Sequence, residues 1–316
     1  MKPILLLAAF ATFATAHEYH HKKDWLNTPE GIEHIGDSHG EIDVDSKGNF
    51  YVSIVGGEKS GIQVYSAKGE YIKNLPNARN NHHGFTIVQE DGKDVIYAAC
   101  LGDKETALLK LATDGEVLLE IPLSAIPKEV GEKFALTHAD VAPNSDIWII
   151  DGYRSDRIFI FDKDGKYKST VAGKGEPWKF KTAHKFAFDT RYDPARVLVC
   201  DRSNDRLVHL DLEGNFIAVF AEGVARPCTV DFHGDLAAVA QLASGITILD
   251  KEGKVVKRLG ANDNPKEFNT NKVAPEKWRE GVTTSPHGAT FDANGNVVTT
   301  EWNKWGRILR WDATKD

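Results

Sequence analysis

Five histidines and one cysteine stand at the same place in six copies of a single sequence phrase: His39, His83, His138, His184, Cys228 and His287. The chain has twelve histidines, so five of them share a register that offers only six positions. Imidazole is the commonest transition-metal ligand, and three converging imidazoles with an open fourth position form a catalytic zinc arrangement. A single histidine here would be read first as a cap bonded to a neighbouring strand. Five in one register call for a shared cause, and metal binding supplies it. Copper or iron would suit the same donors, whereas calcium would want oxygen. His17, His20 and His21, near the N-terminus, are read as part of a flexible leader instead.

The elements that carry this register come from the repeat. It runs as HGEIDVDSKGNFYVSI from His39, HGFTIVQEDGKDVIYAAC from His83 and HADVAPNSDIWIID from His138. It continues as HKFAFDTRYDPARVLVCD from His184, CTVDFHGDLAAVAQ from Cys228 and HGATFDANGNVVTTE from His287. Intervals of 44, 55, 46, 44 and 59 residues separate the lead positions, the period of a four-stranded propeller blade. Each copy alternates apolar residues, turns through Asp, Gly or Asn, and adds a third strand such as RIFIFD or RILRWD. The expected fold is all-β, one six-bladed propeller over 31–316, with each lead residue opening an innermost strand at the channel mouth. No fourth strand follows the sixth copy, and Gly31–Gly36 (GIEHIG) is expected to supply it and close the ring. Insertions at 121–135 and 261–282 are expected to carry short helices. Asp151, Asp201 and Glu301 end equivalent second strands and are read as blade-to-blade hydrogen-bond acceptors. Trp302 and Trp305 either line a ligand rim or pack between blades.

The NHL-type repeat, with Asp-Gly-Tyr-x-x-x-Arg-Ile at 151–158, resembles the lyase domain of peptidylglycine alpha-amidating enzymes. The resemblance implies a six-bladed propeller that holds zinc through histidines of blades two, four and six. The matching residues are His83 in His-Gly-Phe, His184 in Ala-His-Lys-Phe-Ala and His287 in Pro-His-Gly; His39 and His138 form a second tier. It further implies a catalytic tyrosine at Tyr153 and a substrate-binding arginine at Arg202. Chemically, Tyr153 can serve as a general base once a cation lowers its pKa, and Arg202 can fork a carboxylate. The alternatives are a channel-wall tyrosine and an ion pair of Arg202 with Asp201 or Asp205. Ile54-Val55-Gly56 stands where the family has a second arginine, Gly288 where it has a calcium-binding Asp, and Arg154 where it has a cysteine.

The rest of the chain bounds the function. With 39 Lys+Arg against 46 Asp+Glu over 316 residues, the net charge of -7 argues against a nucleic-acid or anionic-membrane binder. Three cysteines allow at most one disulfide among Cys100, Cys200 and Cys228. Lys2, the apolar run 4–13 and Ala14-Thr15-Ala16 read as a signal peptide over 1–16, with a leader over 17–30. The protein is thus expected to be secreted or periplasmic, without a membrane span. A lyase or hydrolase acting on a small-molecule or peptide substrate is expected. A non-catalytic NHL-type scaffold and a gluconolactonase-like hydrolase built on Glu, Asn and Asp are the competing classes.

Overall fold

The computed structural model describes residues 18–314; segment 1–16, expected to be a signal peptide, and His17 lie outside them. Six four-stranded antiparallel sheets form a ring of blades, as the repeat predicts. Their inner strands are Asp37–Val44, His82–Glu90, His138–Val141, Ala183–Asp189, Pro227–His233 and Pro286–Phe291, in blades one to six. Blades one, three, four, five and six share an Asx-type turn in which Asp45, Asp162, Asp211, Asp250 or Asp292 accepts backbone N–H groups two and four residues on.

Both faces of each sheet are covered, so alternate residues of one strand enter different seams. In blade three, Ile147 and Ile149 pack toward blade two, while Trp148 and Ile150 pack toward blade four. Six apolar clusters result, one per seam. The inserted segments carry the 3-10 turns Leu123–Ala125 and Pro275–Lys277.

An N-terminal strand closes the ring, but it is Tyr19–His21, not Gly31–Gly36. Tyr19 pairs with Ala313 and His21 with Trp311 along the outer edge of blade six. Tyr19 buries its ring in the seam between blades five and six while His20 faces out, the alternation an edge strand needs. Gly31 (φ 75°) and Gly36 (φ 107°) adopt left-handed backbone that breaks an extended run. That segment instead wedges Ile35 into the seam between blades six and one. Residues 18–30 are accordingly a strap rather than a leader. Trp25 is buried edge-on against Phe50 at 5.2 Å, and the Asn27 N–H donates to the Gly69 carbonyl at 2.8 Å.

Candidate metal centre

Five of the six lead residues sit where the ladder between first and second strands slips. The register shifts across His39, His83, His184, Cys228 and His287, whereas His138 pairs regularly with Ile150. Such bulges re-aim a side chain. The bulged histidines turn into the channel and meet: His83, His184 and His287 have ring centroids 4.9, 4.9 and 4.7 Å apart, pair by pair. His39 lies 4.9 Å from His83 and 5.0 Å from His287. His138 stays out of the cluster, edge-on to Phe186 at 5.4 Å with Nε2 3.2 Å from the Thr86 hydroxyl.

Three of these rings are fixed alike. His83 Nδ1 lies 2.9 Å from the Thr137 carbonyl, His184 Nδ1 2.8 Å from that of Cys228, and His287 Nδ1 3.2 Å from that of Gly40. Carbonyl oxygens only accept, so each Nδ1 carries the proton and each Nε2 presents a lone pair to the channel. A backbone carbonyl on the far nitrogen is the usual second shell of a metal-bound histidine. Every carbonyl belongs to the next blade, giving a threefold arrangement over blades two, four and six.

Tyr153 supplies what blade three's lead residue does not. It follows the second strand (Ile147–Ile150) on a loop pressed against blade four. A Cβ on Gly152 would collide with the Ala183 carbonyl, so only glycine allows that approach. The phenol oxygen lies 3.0 Å from His83 Nε2, 3.1 Å from His184 Nε2 and 3.5 Å from His39 Nε2. Arg202, in the turn after blade four's second strand (Arg196–Asp201), donates Nη1–H to that oxygen at 3.3 Å and covers the ring at 5.0 Å. Asp201 is taken by Arg206 at 2.7 Å instead, so the expected alternative pairing of Arg202 with Asp201 is not formed. Trp302 lies 5.4 Å from the His39 ring. Asp151, Asp201 and Glu301 accept from Ala135, Lys181 and Thr284, tying down the entry link of their own blade rather than bridging to another.

A count of protons shows what the cluster lacks. Three buried Nε2 acceptors converge, and Tyr153 has one O–H to give to one of them. His287 Nε2 is buried with no hydrogen-bond partner among the described residues. Buried acceptors without donors are costly, at roughly 1–3 kcal/mol each. A cation accepting several lone pairs removes that cost, so the donor set fits a transition metal. Two overlapping trios have ligand atoms mutually within 4.8 Å: His39, His83 and His287, and His184, Cys228 and His287.

Electrostatics agree with neutral imidazoles. Burial pushes His39 down to about 4, and burial, neighbouring rings and Arg202 hold His83, His184 and His287 well below the usual range. Burial also lowers His138, and His82 to about 4. Burial raises Tyr153 although Arg202 opposes it, so without a further cation the phenol keeps its proton. Deeper in the channel Lys185 pairs with Glu41 at 2.7 Å. Beyond them burial pushes Asp140 up to about 7, and burial with the Asp231 charge pushes Asp43 up to about 8.

These shifts set a pH dependence. Unfolding frees the six imidazoles to protonate near about pH 6.5, so below that pH the unfolded state binds more protons and stability falls with pH. Asp43 and Asp140 act oppositely. Folded, they keep protons that the unfolded chain loses near about pH 4, so they erode stability as pH climbs toward 8. Burial raises Asp37, Glu41, Asp156 and Glu301 in the same sense, so histidines and carboxylates oppose one another on the acid side. The histidine share is isolated by substitution: the loss of stability of metal-free protein below about pH 6.5 should be shallower in His82→Ala than in the natural chain. Urea unfolding across pH 4 to 8 checks this; identical slopes would contradict it.

Comparison with known proteins bears on the fold. A family described as a 6-bladed beta-propeller matches residues 141–222. No curated protein sequence matches the chain significantly. The chain is similar in structure to a streptogramin B lyase at 14% identity and a TM-score of 0.59, covering 94% of this chain and 98% of that one. It is similar to a catalytically inactive virginiamycin B lyase from Staphylococcus aureus with quinupristin, at 14% identity and a TM-score of 0.55, covering 94% and 88%. A gluconolactonase from Xanthomonas campestris shares 11% identity with a TM-score of 0.61, covering 89% of each chain. These neighbours are streptogramin lyases and a gluconolactonase rather than amidating lyases, so the shared ground is the six-bladed ring. Cys100, Cys200 and Cys228 are free thiols. Among the described residues no helix is long and apolar enough to cross a membrane.

Proposed function

We propose that the chain is an exported zinc-dependent lyase or hydrolase acting on a small carboxylate- or amide-containing substrate at the channel mouth. The observation that carries it is the convergence of three buried, tautomer-fixed Nε2 acceptors, two of which compete for the one phenolic proton of Tyr153 while His287 Nε2 has no donor among the described residues. His83, His184 and His287, whose rings converge pairwise, would hold the metal once His83 and His184 draw together. The sets already within 4.8 Å are His39 with His83 and His287, and Cys228 with His184 and His287; His39 is the more exposed imidazole. Bound there, zinc supplies Lewis acidity toward a substrate oxygen.

The protein's own groups do the rest. Arg202 keeps its Nε–H unpartnered and buried beside Tyr153, so its planar fork has donors left for a carboxylate. Tyr153 touches two of the ligand rings and exchanges the proton of a substrate hydroxyl or leaving group. A cleft of about 350 Å³ adjoins Tyr153, lined by Arg154, Lys174, Lys179 and Lys181 with Asp156 as its acid. That charge balance draws in anionic substrates. The streptogramin lyase and gluconolactonase folds widen the test beyond peptidyl α-hydroxyglycines.

The experiment assays zinc-loaded protein on a peptidyl α-hydroxyglycine, small hydroxy acids, lactones and quinupristin. Turnover of a carboxylate-bearing member, abolished by chelation and restored by zinc, is the expected result. Metal-loaded protein inert toward every member would favour the non-catalytic scaffold.

A further inference from the structure

We infer that Cys228 is a thiolate ligand of this metal centre, so that the resting site has a His3Cys donor set rather than three histidines alone. The inference rests on the metal reading above and deepens it.

Cys228 occupies, in blade five, the bulged register that carries His83, His184 and His287 in blades two, four and six. Its Sγ lies within 4.8 Å of the ligand atoms of both His184 and His287. One of these, His287 Nε2, is buried and unpartnered, so it points to a missing ligand independently of the cysteine. The thiol has only long contacts: Arg202 Nη1 at 3.9 Å and the Arg226 carbonyl at 3.7 Å. Meanwhile its backbone carbonyl fixes the His184 ring at 2.8 Å, so one residue would hold the metal twice, directly and through His184. Cys100 and Cys200 lie on second strands and take no part in either trio.

Coordination breaks the S–H bond, forms a sulfur–metal bond and releases the proton to solvent. The thiolate leaves a divalent ion with one net positive charge among three neutral imidazoles. Arg202 beside the sulfur offsets the new negative charge. A soft donor turns the site further from calcium or magnesium and toward zinc, cobalt or copper. Four protein ligands would fill a tetrahedral resting site, so a substrate oxygen would have to displace one of them or enter as a fifth ligand.

Cobalt(II) is the probe. Added to metal-stripped protein, it should give an intense near-ultraviolet thiolate-to-cobalt band in the natural chain and in Cys100→Ser and Cys200→Ser. Cys228→Ser should lose the band while still binding cobalt, about tenfold or more weakly. X-ray absorption of the zinc-loaded natural chain needs no variant. It should show sulfur at about 2.3 Å beside nitrogen at about 2.0 to 2.1 Å. Cobalt bound without the band, a band surviving in Cys228→Ser, or a zinc shell of nitrogen and oxygen only would overturn the assignment and leave the three-histidine site standing. Failure of the natural chain to bind cobalt or zinc at all would overturn both.

Discussion

Alanine at His184 should weaken zinc binding by at least about a hundredfold. Loss of a group that merely hydrogen-bonds a metal ligand costs about 10–100-fold, and His184→Ala removes a ligand outright. His184 is central: its ring lies 4.9 Å from His83 and 4.7 Å from His287, and its Nε2 lies 3.1 Å from the Tyr153 hydroxyl. Competition against a chromophoric chelator measures the loss. Thermal unfolding gives a second readout, because a ligand at 100 times its Kd adds about 2.7 kcal/mol to stability. That metal-dependent rise should vanish in His184→Ala. His138→Ala is the control, since His138 faces Phe186 and Thr86 instead. An unchanged affinity in His184→Ala, or an equal loss in His138→Ala, would reject this choice of ligands.

Phenylalanine at Tyr153 should cut turnover by about 10² to 10⁴, the usual worth of a positioned proton donor or acceptor. Only one oxygen is removed; the ring still packs against His83 at 5.2 Å and under Arg202 at 5.0 Å. Metal content and melting temperature of the zinc-loaded protein should therefore hold. A tyrosine that merely lined the wall would leave the rate within a few-fold. The pH profile separates the two roles further: the limb set by the phenol disappears in Tyr153→Phe if Tyr153 exchanges the proton. A shared fall in turnover and metal content would assign Tyr153 to building the site instead.

Much of this site is legible in the sequence because a propeller repeats its physics. Lead residue, turn and second strand recur, so the six blades and the inner-strand position of His39, His83, His184, Cys228 and His287 follow from spacing. Spacing to the turn does not single out His138: His287 lies five residues before Asp292 and His138 four before Ala142, yet His39, six before Asp45, joins the cluster. The bulges themselves leave little trace in residue types, and they decide who enters the channel.

Ring closure departs from the sequence expectation for a different reason. The two isoleucines of Gly31–Gly36 suggest an extended strand, yet glycines at both ends permit the left-handed turns found there. Tyr-His-His carries only one strongly apolar residue, and its pairing with 311–313 is a long-range choice that no local pattern announces. The proton deficit of the site was equally hidden, because it depends on which carbonyl meets each Nδ1.

The most direct test is the metal content of the chain purified without chelators, measured by elemental analysis against protein concentration. About one zinc, or another single transition metal, per chain is the result the converging His83, His184 and His287 predict. No stoichiometric metal, even after incubation with zinc at neutral pH, would contradict it.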